Sequence, residues 1–377
     1  MPKKNIIILN YGLHIAGVSR TLVNFCNALV HHGYDVTLKI AINDFTLLDE
    51  LDPRVNCSLF LKEPHLFGKR IKGFLRFYDL YLKILLKLPA YLQYKFVVRK
   101  KYDVEIAFNR GAAANIISAS TNRSARKLVW VHNDYTKNSN PLAGFSSLKK
   151  AQDGYMKFDN IVCVSKQSEK AFAQKFGEGF PLITKYNIMD INSIVSKSKE
   201  RIISKQKFTI VAIGRLSEQK NYKLLLDAVK ILNHKDFECD CWIVGGGELE
   251  NELITYKNDN NLTNVYFLGP QVNPYPYFLA ADVYVSSSIY EGLSTTTIEA
   301  LILGKPCIVT DCTGMRDILG ENNEYGIVVP IMAEALSEAI LNMANDKNMF
   351  KYYREKATER AKLFNPETAF RDIESLF

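Results

Sequence analysis

Short apolar runs alternate with windows of helical periodicity along the whole chain. In the first half the runs are "NIIILN", "DVTLKIAI", "VEIAF", "KLVWVH" and "NIVCVS". In the second they are "FTIVAIG", "DCWIVGG", "VYFLG", "DVYVSSS", "PCIVTD" and "GIVVP". Between them lie amphipathic stretches such as "SRTLVNFCNALVHHG" and "NYKLLLDAVKILNH", whose apolar residues recur every three or four positions. Continuous apolar strands joined by helices predict parallel sheets covered on both faces. A polar stretch rich in Ser and Lys, "DINSIVSKSKERIISKQK" at 190–207, separates the two groups and marks a domain boundary. The pattern therefore predicts two doubly wound α/β domains, with ligands expected beyond the carboxyl ends of the strands.

Length agrees with this division, since 377 residues exceed what one hydrophobic core ordinarily serves. The apolar share of 47% beside 23% charged residues is that of a globular protein. "MPKKNIIILNYG" reads as a buried first strand rather than a secretory leader, and no run is long enough to span a bilayer. The seven cysteines are scattered without a C-x-x-C pair, which predicts reduced, buried thiols. Net charge is +8, and residues 62–101 account for it: eleven Lys/Arg stand there against Glu63 and Asp79. That segment includes "FLRFYDLYLKILLKLPAYLQYKF", apolar and aromatic at helical spacing around Lys83, Lys87 and Lys95. Two readings stay open: a core-facing helix pair with a solvated basic face, or a basic amphipathic surface for anionic lipid. Nucleic acid is not expected, because no recognised binding motif accompanies the charge.

Candidate chemistry concentrates in the second half. "YEGLSTTTIEA" sets Glu291 in a loop just past a strand and Glu299 on the helix that follows. Ser294 can cap that helix, and Gly304 with Pro306 marks its end. With Thr296 as the cap instead, Glu299 would fall at a capping-box position and need no ligand to explain it. "AIGRLSEQKNY" places Arg215 and Lys220 in one strand-to-helix turn, a planar fork and a point charge suited to a diphosphate. "IVGGGELENEL" makes a second such turn, where Gly245, Gly246 and Gly247 permit close backbone approach or simply a tight bend. Cations for a diphosphate beside carboxylates for hydroxyl groups suggest a nucleotide-activated sugar.

"GRLSEQKN" followed by "YEGLSTTTIEALILGKP" resembles the retaining GT-B glycosyltransferases of family 4, the glycosyl transferases group 1 type. The resemblance covers about residues 160–330, including "NIVCVSKQS", "YNIMD" and "VTDCTGMRDIL". "GLHIAGVSRTLVNFCNAL" is similar to the family's first glycine loop, with Ala16 and Ser19 where Gly and Glu are commoner. It implies a GT-B fold of two Rossmann-like domains facing a central cleft. Residues 1–190 would bind the acceptor, 191–364 the nucleotide sugar, and 365–377 would form a helix crossing back to the first domain. It also implies that Arg215 and Lys220 bind the donor diphosphate, Glu299 the ribose and Glu291 the donor sugar. Gly246, Gly292, Leu293 and Ser294 would contact the donor, and Gly17 would approach its phosphates. His132 would touch the sugar or stabilise charge at the anomeric carbon, against the plain alternative of a core or capping histidine. His14 would lie near the acceptor, and Asn187 at the hinge.

The implied activity is retaining transfer from a UDP-sugar, or next a GDP-sugar, to a glycan or lipid-linked glycan in cell-surface polysaccharide synthesis. No cofactor or metal is expected, because no strict D-x-D occurs and the two cations can take a metal's role. The expected location is the cytoplasm, or the inner membrane face should the basic segment dock there. Competing readings are a nucleotide-sugar epimerase of the same fold, a glycoside hydrolase and an inactive glycan-binding partner. A hydrolase has no use for the phosphate-loop cations, and the epimerase would need further acid/base residues.

Overall fold

The computed structural model describes residues 4–13, 17–42, 44–60, 72–137, 140, 142 and 144–377, with the helical backbone alone for 72–77. The chain divides into two compact units. One comprises Met1–Met189 with Glu367–Phe377, the other Asp190–Pro366.

The first unit is built on seven strands: β1 (Asn5–Asn10), β2 (Asp35–Ile40), β3 (Asn56–Leu59), β4 (Val104–Ala107), β5 (Arg126–Val131), β6 (Asn160–Cys163) and β7 (Leu182–Thr184). Their order is β3-β2-β1-β4-β5-β6-β7, and every pairing is parallel. The second unit holds β8 (Phe208–Ile213), β9 (Cys239–Val244), β10 (Val265–Phe267), β11 (Val283–Ser286), β12 (Cys307–Thr310) and β13 (Ile327–Val329). Here the order is β10-β9-β8-β11-β12-β13, again parallel throughout. Each unit encloses its own apolar core of strand and helix side chains.

Both sheets reverse direction of growth once, between β1 and β4 in the first unit and between β8 and β11 in the second. Loops leaving the carboxyl ends of those neighbours must diverge to opposite faces, which opens a crevice. Two strands lack a sequence signal. β3 is a short half-polar "NCSL", and β7 is three half-exposed residues. All seven cysteines are free and buried. Among the described residues, no helix is long and apolar enough to cross a membrane.

Glu367–Phe377 belong to the first unit through specific contacts. Phe370 is fully buried and stacks on His32 with ring centroids 3.8 Å apart. The Tyr34 hydroxyl donates to Glu374 Oε1 at 2.7 Å, and Arg126 Nε donates to the Leu376 carbonyl at 3.2 Å.

Candidate functional site

In the second unit one predicted cation, Lys220, meets one predicted carboxylate, Glu291, at the reversal between β8 and β11. β8 ends at Ile213 and runs into Gly214, Arg215 and a short turn at Glu218–Lys220. Asn221 then takes a left-handed conformation (φ 46°, ψ 50°), which Asn tolerates better than most residues, and starts the helix Tyr222–His234. β11 ends at Ser286 and leads through Ser287 and Ser288 to Glu291. Hydrogen bonds stitch the two loops together: Ile289 N donates to the Gln219 carbonyl at 2.8 Å and Ser287 Oγ to the Lys220 carbonyl at 2.8 Å.

This stitching drives Lys220 against Glu291, Nζ to Oε1 at 2.6 Å. Ser288 Oγ donates to the same oxygen at 2.9 Å, while Gln219 Nε2 reaches Oε2 at 3.3 Å and the Tyr290 carbonyl at 2.9 Å. Burial, the largest effect, works against the charge on Lys220, but the charge and hydrogen bond of Glu291 together with Tyr284 and Cys312 outweigh it, and the ammonium titrates above its ordinary range. Lysine has three donors, so pairing with Glu291 does not exhaust it. Arg215 lies differently. It is exposed and makes no ion pair or hydrogen bond with Lys220, Glu291 or Glu299. One loop thus presents one cation held in place by Glu291 and one, Arg215, with no ion pair among the described residues.

Glu299 sits on the helix Thr295–Ile302, buried, with the Tyr275 hydroxyl donating to Oε1 at 3.1 Å. The cap is Ser294, whose Oγ accepts from Thr297 N at 3.4 Å. Counting from Ser294, the capping-box position is Thr297, so the local explanation for Glu299 through Thr296 is excluded. Thr296 instead pairs with the Tyr284 hydroxyl at 2.8 Å, and Tyr284 lies within the fields of Lys220 and Glu291. Gly292 and Leu293 are buried in the turn between Glu291 and the cap. Gly314, at φ 85°, supports that turn: a Cβ there would stand 2.4 Å from the Gly292 carbonyl oxygen.

The three-glycine turn has a packing explanation. A Cβ on Gly245 would come within 1.9 Å of the Gly214 carbonyl oxygen, and one on Gly247 within 2.4 Å of the Leu216 carbonyl oxygen. Gly246 faces Pro270 and Glu250. These glycines let the 245–247 turn press on the loop that carries Arg215.

In the first unit, His132 follows β5 and is only 7% exposed. Its ring lies 4.8 Å from that of Phe108, which in turn stacks with Phe25 and Trp130. Burial lowers its pKa to about 4, against a smaller upward effect of the Phe108 backbone, so the imidazole is neutral at pH 7. Among the described residues its Nε2 has no hydrogen-bond partner, a costly state for a buried polar atom. Asn10, at the end of β1, and Asn187 also bury an Oδ1 each that has no partner among the described residues. Asn187 stands just before the division at Met189, and Gly17 is exposed at the start of the helix Gly17–His31. His14 lies outside the described residues. Asn10, Tyr275, Gln219 and Ser288 were not singled out in the sequence. Only the polar end of an apolar strand could have pointed to the first, and the other three become visible through their partners.

Residues 195–360 match the model of the family described as glycosyl transferases group 1. An uncharacterized glycosyltransferase of Methanocaldococcus jannaschii is 28% identical over 330 residues, 74% of this chain and 80% of that protein. The 4-alpha-N-acetylgalactosaminyltransferase of Campylobacter jejuni that acts on N-acetylgalactosamine-N,N'-diacetylbacillosaminyl-diphospho-undecaprenol is 33% identical over 190 residues, about half of each protein. Among solved structures, Anabaena HepE in complex with UDP and glucose superposes with a TM-score of 0.76 at 18% identity, covering 99% of this chain and 98% of that one. The fold is GT-B, and the part of the second unit that carries the Lys220–Glu291 cluster lies within the match to the glycosyl transferases group 1 family.

Proposed function

We propose that the chain transfers a sugar, with retention, from a UDP-sugar, or next a GDP-sugar, to a hydroxyl of a glycan or lipid-linked glycan in cell-surface polysaccharide synthesis. The observation that carries this reading is the cluster at the β8/β11 reversal, where a partly buried Lys220–Glu291 pair lies in the same loop system as Arg215, which has no ion pair among the described residues. Arg215 and the spare Lys220 protons bind the donor diphosphate, and Glu299 takes the ribose hydroxyls. Glu291 retains acceptor capacity for a sugar hydroxyl; in the first unit, neutral His132 carries an Nε2 able to accept from a hydroxyl group. As the bond from the anomeric carbon to phosphate breaks, the acceptor oxygen bonds to that carbon from the same face. Its proton passes to the departing phosphate oxygen. Catalysis then rests on charge stabilisation and positioning, without a strong protein base or a metal. Relatives named for diphospho-undecaprenol-linked acceptors support the acceptor class.

The test is nucleotide release from UDP- and GDP-sugars with and without a lipid-linked glycan, in the presence of EDTA, with the product's anomeric configuration read by NMR. Acceptor-dependent release with retention is expected. Equal release without acceptor means hydrolysis, and loss of activity in EDTA removes the metal-free mechanism.

Tyr275 gives the ribose assignment its own check. Tyr275→Phe removes the hydroxyl that donates to Glu299 Oε1, and UDP is expected to bind about fivefold more weakly, the order of one hydrogen bond. Binding of 3′-deoxy-UDP should change less. Equal weakening of both nucleotides would mean that Tyr275 acts on packing alone.

A further inference from the structure

Two helices of the first unit, Lys72–Leu85 and Ala90–Val97, carry two distinct apolar faces. One is used by the fold. Tyr78, Leu85, Tyr94 and Val97 are buried, and Tyr81 and Leu82 pack against the core of that unit. This set alone satisfies the demand of an amphipathic helix for a core. A second set has no core to serve. Leu80 and Ile84 are 58% and 55% exposed, and Leu86, Tyr91 and Phe96 are exposed as well. Single exposed apolar residues are ordinary, but five within seventeen consecutive residues are a local concentration that needs an explanation.

Cations interleave with these residues. Leu80, Lys83 and Ile84 follow i, i+3, i+4 spacing on the helix, and exposed Lys87 lies in the turn just past its end, so apolar and positive side chains alternate on the exposed side. Lys95 lies beside Phe96, and Arg99, Lys100 and Lys101 follow, all exposed. Lys83, Lys87 and Lys95 make no ion pair among the described residues, and Asp79 is the one acid between Tyr78 and Lys101. A protein partner for such a face would need both an apolar pocket and an acidic rim. An anionic bilayer supplies both, its acyl boundary to the apolar groups and its headgroups to the lysines.

We propose that the exposed residues Leu80, Lys83, Ile84 and Lys87, continued by Tyr91, Lys95 and Phe96, dock the protein on an anionic membrane surface. This deepens the reading of a lipid-linked acceptor and rests on it for its purpose, since docking would bring the protein to the surface that holds such an acceptor. It is tested without turnover, by co-sedimentation with phosphatidylcholine vesicles, pure or with roughly one phosphatidylglycerol in three. Binding is expected to the anionic vesicles and to fall steeply at about 1 M salt, where the Debye length is about 3 Å. Lys83→Gln with Lys87→Gln should lower partitioning about 25-fold, at about fivefold per cation. Leu80→Ser with Ile84→Ser should lower it at least about tenfold by removing buried methylenes. All four changes lie on the exposed face, so the thermal shift given by UDP should stay as in the parent. Failure to bind anionic vesicles, or binding untouched by either pair of changes, overturns the proposal. So does a dimer that both pairs abolish while vesicles are ignored, for the face would then belong to a second copy. Vesicle binding without any sugar transfer would sink the proposed activity and leave the docking surface standing.

Discussion

Arg215→Ala and Lys220→Ala are each expected to lower turnover by about tenfold or more, the order of one lost charge-assisted contact, yet only the second should weaken the fold. Arg215 is exposed and has no ion pair among the described residues, so its removal leaves none of them buried and wanting a partner. Lys220 is different, because Glu291 is buried against it at 2.6 Å. Deleting one member of a buried pair strands the other charge, at a cost of about 3 kcal/mol. Adding Glu291→Gln to Lys220→Ala removes the stranded charge and should restore much of that stability without restoring turnover. Denaturant unfolding and kcat/KM on the four proteins separate the two effects. Near-normal rates in both single variants would remove the phosphate-loop assignment, and equal stability of both would mean that the pair contributes nothing to the fold.

Acid should unfold the parent protein partly through His132. Its imidazole titrates near 6.5 when exposed and near 4 when folded, because burial opposes the charge. Below about pH 6.5 the unfolded chain binds a proton that the folded one refuses. The contribution to stability is therefore complete above that pH and drains away down to about pH 4. The loss approaches about 3 kcal/mol, since each pKa unit is worth about 1.4 kcal/mol. His132→Gln lacks this titration, so its stability difference from the parent should shrink by that order between pH 7 and pH 4. Parallel curves for the two proteins would place the histidine in water. A neutral, buried imidazole also favours hydroxyl recognition over electrostatic stabilisation of a cationic centre.

The pattern of apolar runs made both sheets legible, because strands buried on two faces leave uninterrupted Val, Ile and Leu in the sequence. β3 and β7 escaped for the complementary reason: "NCSL" interrupts its apolar residues, and "LIT" is half-exposed and three residues long. At the site, residue types revealed the loop with Arg215 and Lys220 and the two glutamates. Their geometry was not legible. Spacing in the sequence does not say that Lys220 turns inward to Glu291 while Arg215 stays exposed, since that follows from backbone hydrogen bonds between distant loops. Ser294 and Thr296 were equally plausible caps by composition, and only the backbone distinguishes them. The basic segment was ambiguous because helical periodicity counts apolar residues without telling core-facing ones from exposed ones.

The placement of residues 367–377 within the first unit bears on how the chain is made. A ribosome emits Met1–Met189 long before Glu367, so the unit must wait, unfinished, while all of Asp190–Pro366 is synthesised. During that interval the surface around His32, Tyr34 and Arg126 lacks Phe370 and Ile373, which are buried in the finished protein. Nascent chains are therefore vulnerable at one defined patch, and a fusion that pulls on this closing segment would prolong its exposure to chaperones and proteases.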